Sequence, residues 1–162
     1  MKNLFLKLAL ILCGFLVGVI FMVYRCGYIL EGQKGREKKF HSFFNLLDRW
    51  LECKENGNQF SEYFHENNIK SVAIYRMGKL GSHLKYELNK GGISISYVID
   101  EMEDFIYDQE IHYNIQEKLP LVDAVIVTSV DEFEEVKNKI LKNNKFLRVI
   151  SMEDITDYFK PA

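Results

Sequence analysis

The sequence predicts an α/β fold, a doubly wound parallel sheet preceded by a single N-terminal transmembrane helix and two short helices. Three observations lead there. Short β-branched apolar runs alternate with helical patterns from Ser71 onward, as strand–helix–strand units do. A glycine-bearing turn joins the first of those runs to the helix after it. An unbroken apolar stretch, Leu8 to Tyr24, lies between Lys7 and Arg25.

Composition narrows the classes. Hydrophobic residues make up 48% and charged residues 27% of the chain, a globular balance rather than a disordered one. The net charge of -2 hides an asymmetry: residues 1–39 hold seven Lys and Arg against two Glu, and the rest holds 14 against 21 acids. An acidic domain repels phosphate backbones, so no nucleic-acid partner is expected. The basic segment instead suits anionic lipid headgroups. Cys13, Cys26 and Cys53 are too few and scattered for a disulfide framework or a zinc site, and the four histidines form no ligand-spaced pair. No metal site is expected.

Taken in order, Leu8 to Tyr24 just reaches the roughly 20 residues that cross a bilayer core, with its flanking cations snorkelling. It is longer than the 7–15-residue core of a secretory signal, and no small-residue cleavage site follows. The expectation is an uncleaved anchor over residues 1–26. Basic residues cluster after it (Arg25, Lys34, Arg36, Lys38, Lys39), so the C-terminal domain should face the cytoplasm from the cytoplasmic membrane. Gly14 and Gly18 form a G-x-x-x-G pair that would let two such helices approach closely.

Residues 27–39, polar and glycine-bearing, are expected to form a basic juxtamembrane linker. A helical lead-in over 40–68 follows. Phe40, Phe43, Phe44, Leu47 and Leu51 share one helical face, and a short helix from Gln59 to Glu66 buries Phe60, Tyr63 and Phe64. The α/β domain occupies 69–162. Strands are expected at Ser71–Tyr75, Ile93–Asp100, around Glu110–Tyr113, Asp123–Thr128 and Phe146–Ile150. The helix after the first strand presents Leu80, Leu84 and Leu88 and stops at Gly91-Gly92. Asp131 should cap the next helix, with Glu134 in the capping-box position and Phe133, Val136 and Ile140 inward; Ser151 with Asp154 should start the last.

Open parallel sheets bind ligands beyond the carboxyl ends of their strands, where strand order reverses. That point should lie between the turn after Tyr75 and the turn after Thr128. The first turn, Arg76-Met77-Gly78-Lys79-Leu80-Gly81, overlays on G-x-G-x-x-G with Arg76 in the first glycine's place. Gly78 would let backbone amides approach a phosphate, and Gly81 would let helix and strand pack closely. Asp100, ending the second strand, suits ribose hydroxyls, and Thr128 ends a strand where a hydroxyl could meet a ligand. Arg76, Met77, Gly78, Lys79, Gly81, Asp100 and Thr128 are therefore the candidate binding residues. Arg76 would either supply a cation to the phosphate or block it. The acidic run Asp100, Glu101, Glu103, Asp104 is expected to be a solvated loop. No catalytic constellation can be assembled from these residues.

The segments Ile74–Gly81, Tyr97–Asp100 and Leu119–Thr128 resemble small Rossmann-like domains of bacterial surface-polysaccharide systems. They are similar to the nucleotide-binding domain of membrane nucleoside-diphosphate-sugar epimerase/dehydratases, across roughly residues 40–159. The family usually has glycine where Arg76 stands, and its larger enzymes carry a second, catalytic domain with no counterpart here. The resemblance implies a pathway more than a reaction. The expectation is a membrane-anchored accessory protein of capsule or exopolysaccharide biosynthesis that binds NAD(P), coenzyme A or a nucleotide-sugar. The alternative is a ligand-free module that docks on a membrane glycosyltransferase or on itself through the aromatic helices of residues 40–66.

Overall fold

The computed structural model describes residues 2–101 and 111–160, apart from the side chains of residues 2, 4–6, 8, 9 and 27–34. Two compact units divide the chain, residues 1–41 and 42–162. One helix, α1 (Lys2–Glu55), contributes to both. It runs through residues 27–39 without a break, where the sequence suggested a linker. Those residues include no proline, and their glycines stand among Glu, Gln, Lys and Arg, which favour helix.

In the first unit every described apolar side chain from Leu10 to Tyr24 is exposed. Among the described residues no helix is long and apolar enough to cross a membrane. Leu8 and Ala9, the start of the apolar run, have side chains outside that description.

The second unit is a five-stranded, all-parallel sheet with helices on both faces. Its elements are α2 (Phe60–Glu66), β1 (Ser71–Tyr75), α3 (Gly78–Lys90), β2 (Ser94–Asp100), β3 (His112–Asn114), β4 (Ala124–Val127), α4 (Phe133–Asn143), β5 (Val149–Ser151) and α5 (Met152–Tyr158). The strand order is β3-β2-β1-β4-β5, the doubly wound order in which direction of growth reverses beside β1. Side chains alternate across each strand. Val72, Ile74, Val98, Ala124, Ile126 and Ile150 share one core with α3, α5 and α2. Ala73, Tyr75, Tyr97, Ile99, Val125 and Val127 share the other with Val136 and Ile140 of α4. Strands buried on both faces explain why β1 and β4 are continuous apolar runs rather than alternating ones.

The lead-in over 40–68 is not a separate segment. Leu46, Trp50 and Cys53 of α1 and Phe60, Tyr63 and Phe64 of α2 belong to the first core. The expected apolar face of α1 is present but turned to solvent: Phe43, Phe44, Leu47 and Leu51 are all exposed. Its neighbour, the face at Leu46, Trp50 and Cys53, makes the contacts. Arg49 fastens it to α5 by 2.8 Å ion pairs to Glu153 and Asp157. Glu87 of α3 accepts hydrogen bonds from Trp50 Nε1 at 2.9 Å and the Phe60 amide at 2.8 Å, and pairs with Lys54.

From β3 to β4 the described chain crosses the sheet without a helix, through Ile115 and Leu119 on the α4 face. Asn144, buried at the end of α4, holds this crossing: its Oδ1 accepts the Leu119 amide at 2.8 Å and its Nδ2 donates to the Glu117 carbonyl at 3.2 Å. The expected strand from Phe146 is shorter, since Phe146 is exposed and pairing begins at Val149. Ser151 and Asp154 form the expected capping box.

Candidate functional site

β1 pairs with β2 on one side and β4 on the other, both in parallel. The crossover to β2 passes through α3 on one face and that from β4 to β5 through α4 on the other. The turns after β1 and β4 therefore meet at the point where the strand order reverses.

The turn after β1 is strained. Arg76 has φ 61°, a left-handed conformation costing an L-residue about 1–2 kcal/mol. Its amide donates to the Ile99 carbonyl at 2.8 Å. Its carbonyl accepts from the Thr128 hydroxyl at 2.6 Å, and the same hydroxyl lies 3.0 Å from the Tyr75 carbonyl. The Thr128 proton is thus committed to the turn, and this residue clips the strand ends together instead of presenting a free donor.

The two glycines differ in surroundings. At Gly81 an added Cβ would lie 3.3 Å from the Arg76 carbonyl oxygen and the Met77 sulfur, and 3.4 Å from Ile74. This is the close helix–strand approach expected of it. Gly78, at φ 36°, opens onto space, with nothing within 4 Å of a Cβ there. It is the first residue of α3, whose first-turn amides carry the positive end of the helix dipole. Met77 is buried, so its side chain belongs to the core and only its backbone borders the turn. Lys79 is exposed.

Arg76 also governs the charge of the crevice. Its guanidinium lies 5.6 Å from the Tyr75 ring centroid and donates to Glu132 Oε2 at 2.9 Å. The Ser129 hydroxyl lies 3.2 Å from the same oxygen. Burial works against the arginine's charge, but Tyr75, Glu132 and Asp100 together hold its pKa above the ordinary value. Asp100 is half-buried at the end of β2 and accepts the Glu101 amide at 2.8 Å. Glu103 and Asp104, the rest of the expected acidic loop, lie outside the described residues. No cluster able to hold a metal ion occurs among the described residues.

Asp131 does not cap α4. The cap position belongs to Glu132, without a side-chain capping bond, because its carboxylate turns to Arg76 and Ser129. Sequence reasoning missed Glu132. Its signal was positional: an acid in the turn after β4 must stand beside the turn after β1 once the strand order is known.

Past Asp100 a cleft of about 580 Å³ is lined by Glu101, Asn114, Ile115, Gln116, Lys139, Lys142 and Asn143. The Tyr75 hydroxyl is buried and without a hydrogen-bond partner among the described residues. Burial, and secondarily the charge of Glu101, pushes that phenol up to about 12, so it is a neutral donor. His83 is exposed on α3 and borders a different groove.

No family model matches this chain, and no curated protein or solved structure matches it either.

Proposed function

We propose that this protein is a membrane-anchored, nucleotide- or nucleotide-sugar-binding accessory protein of cell-surface polysaccharide biosynthesis. One observation carries the binding: Gly78 opens the amide end of α3 onto free space at the reversal of the β3-β2-β1-β4-β5 order. Such a helix end favours a phosphate, Arg76 adds a cation, and Asp100 ends the neighbouring strand as a ribose acceptor would. The cleft lined by Glu101, Asn114 and Lys139 would take the remainder of a nucleotide. Catalysis is not part of the proposal, because no nucleophile or proton-transfer pair converges on this crevice among the described residues.

The anchor rests on the first unit, whose helix exposes apolar side chains all round from Leu10 to Tyr24. A helix apolar all round favours an apolar environment, and the basic flank after it favours a cytoplasmic domain, while the described residues alone fall short of a membrane-crossing helix. The polysaccharide context rests on the resemblance of the turn and strand segments alone.

The test is a thermal-shift screen of the full chain in non-ionic detergent against NAD(H), NADP(H), coenzyme A, nucleoside diphosphates and UDP-sugars. A ligand at a hundred times its dissociation constant should stabilise by about 2.7 kcal/mol, a shift of several degrees. Gly78→Asp should abolish the shift. No shift from any of these ligands at millimolar concentration would refute the binding.

A second reading is favoured by one feature. A groove of about 590 Å³ runs between α1 and α3, lined by Leu47, Trp50, Leu51 and Tyr86, and Leu51 and Tyr86 are 58% and 73% exposed. Exposed apolar surface of this kind marks docking sites, so the chain would dock on a membrane protein such as a glycosyltransferase. The aromatic residues of α2 take no part, being buried. Leu51→Asp would then abolish partner binding and leave ligand stabilisation intact.

A further inference from the structure

Glu132 occupies an unusual place. It stands at the cap position of α4 yet makes no side-chain bond to that helix's amides. Its carboxylate instead reaches the opposite turn of the crevice and takes a hydrogen bond from Arg76 at 2.9 Å. Arg76 has its backbone fixed on both sides, by Ile99 at 2.8 Å and Thr128 at 2.6 Å. The guanidinium is therefore presented to whatever anion faces it across the reversal point. A planar guanidinium fork matches carboxylate and phosphate oxygens alike. The ion pair is also accessible to exchange, since the two side chains are 45% and 30% exposed. Pairs this exposed hold weakly and yield to a stronger anion.

We propose that Glu132 is an internal stand-in for phosphate, holding Arg76 across the crevice until a pyrophosphate-bearing ligand takes its place on the guanidinium. This rests on the crevice being the phosphate site proposed above, and it narrows the ligand. A nucleoside diphosphate engages Arg76 and the amide end of α3 together and carries more charge than one carboxylate. A nucleoside has nothing to exchange with Glu132 and does not bind. Arg76, which departs from the glycine pattern of such turns, becomes the residue that selects for phosphate, and Glu132 the residue that sets the affinity.

The test is calorimetric titration of the full chain in a phosphate-free, non-ionic detergent, with inorganic pyrophosphate and UDP as probes. The proteins are wild type, Glu132→Gln, which keeps the shape and a hydrogen-bonding oxygen, Arg76→Gln and Gly78→Asp. Glu132→Gln should bind both probes up to about fivefold more tightly, the release of one exposed ion pair. Arg76→Gln should bind them at least about tenfold more weakly. Equal affinity of wild type and Glu132→Gln, with binding still lost in Gly78→Asp, would overturn the stand-in role while leaving the phosphate site in place. No binding by any variant, each shown folded by a cooperative melt followed at Trp50, would overturn both.

Discussion

The hydroxyl of Thr128 lies 2.6 Å from the carbonyl oxygen of Arg76, joining the end of β4 to a residue in left-handed conformation. That bond, with the amide bond to Ile99, holds open a turn that would otherwise relax toward negative φ. Thr128→Val keeps the branched shape and removes the donor. It is expected to cost about 1–2 kcal/mol in urea denaturation, and Thr128→Ser should recover most of that loss.

Arg76→Gly removes the left-handed penalty of about 1–2 kcal/mol and an exposed ion pair worth up to about 1 kcal/mol. The variant should melt no lower than wild type by calorimetry. A loss of more than about 1 kcal/mol would mean that the Arg76–Glu132 pair contributes more to stability than its exposure allows.

Gly91 ends α3 directly against α2, and an added Cβ there would collide with the side chain of Ser61. Its φ of -85° is ordinary, so the obstacle is contact and not backbone. Gly91→Ala should cost about 1–3 kcal/mol by overpacking. The double variant with Ser61→Gly should recover part of this despite the lower helix propensity of glycine. A double-mutant cycle reads the coupling.

Glu87 accepts from Trp50 Nε1, the Phe60 amide and Lys54. Glu87→Ala leaves the first two donors unpaired and is expected to cost about 2–3 kcal/mol. Trp50 is the only tryptophan, so its emission should shift to the red as water reaches the indole.

Asp123 accepts the amides of Lys70 and Ser71, each at 2.8 Å, and the Ser71 hydroxyl at 3.0 Å, joining the starts of β1 and β4. These bonds, the backbone ones foremost, hold its pKa below the usual carboxylate value. The stabilisation is complete above the unfolded-state pKa and is lost as pH falls through the lower folded value. Melting temperatures recorded across the acidic range should fall less steeply for Asp123→Ala than for wild type.

Much of the second unit was legible because its signals are local. The β-branched runs at Ser71 and Asp123, the Leu80–Leu84–Leu88 stripe and the Ser151–Asp154 capping box each follow from a few adjacent residues. What was not legible depends on partners distant in sequence. The face of α1 that packs, Leu46–Trp50–Cys53, is less apolar than the Phe43–Phe44–Leu47–Leu51 face beside it, and only the positions of α3 and α5 decide between them. In the candidate crevice, the spacing of Gly78, Gly81 and Asp100 was readable because the turn after β1 and the end of β2 are local features. Thr128 directly follows β4, and its hydroxyl goes to the backbone carbonyls of Tyr75 and Arg76. Glu132 escaped notice because its partner is 56 residues away, and Asp131 looked like the better cap.

If the crevice between the ends of β1 and β4 receives a nucleoside diphosphate, the backbone amides around it respond to that ligand. Backbone-amide NMR of the full chain in detergent, with and without saturating UDP, reads that response residue by residue. The largest shifts are expected at Gly78–Gly81, at Asp100–Glu101 and at Thr128–Glu132. Unchanged spectra, or shifts confined to the Leu47–Leu51–Tyr86 groove, would contradict diphosphate binding in that crevice.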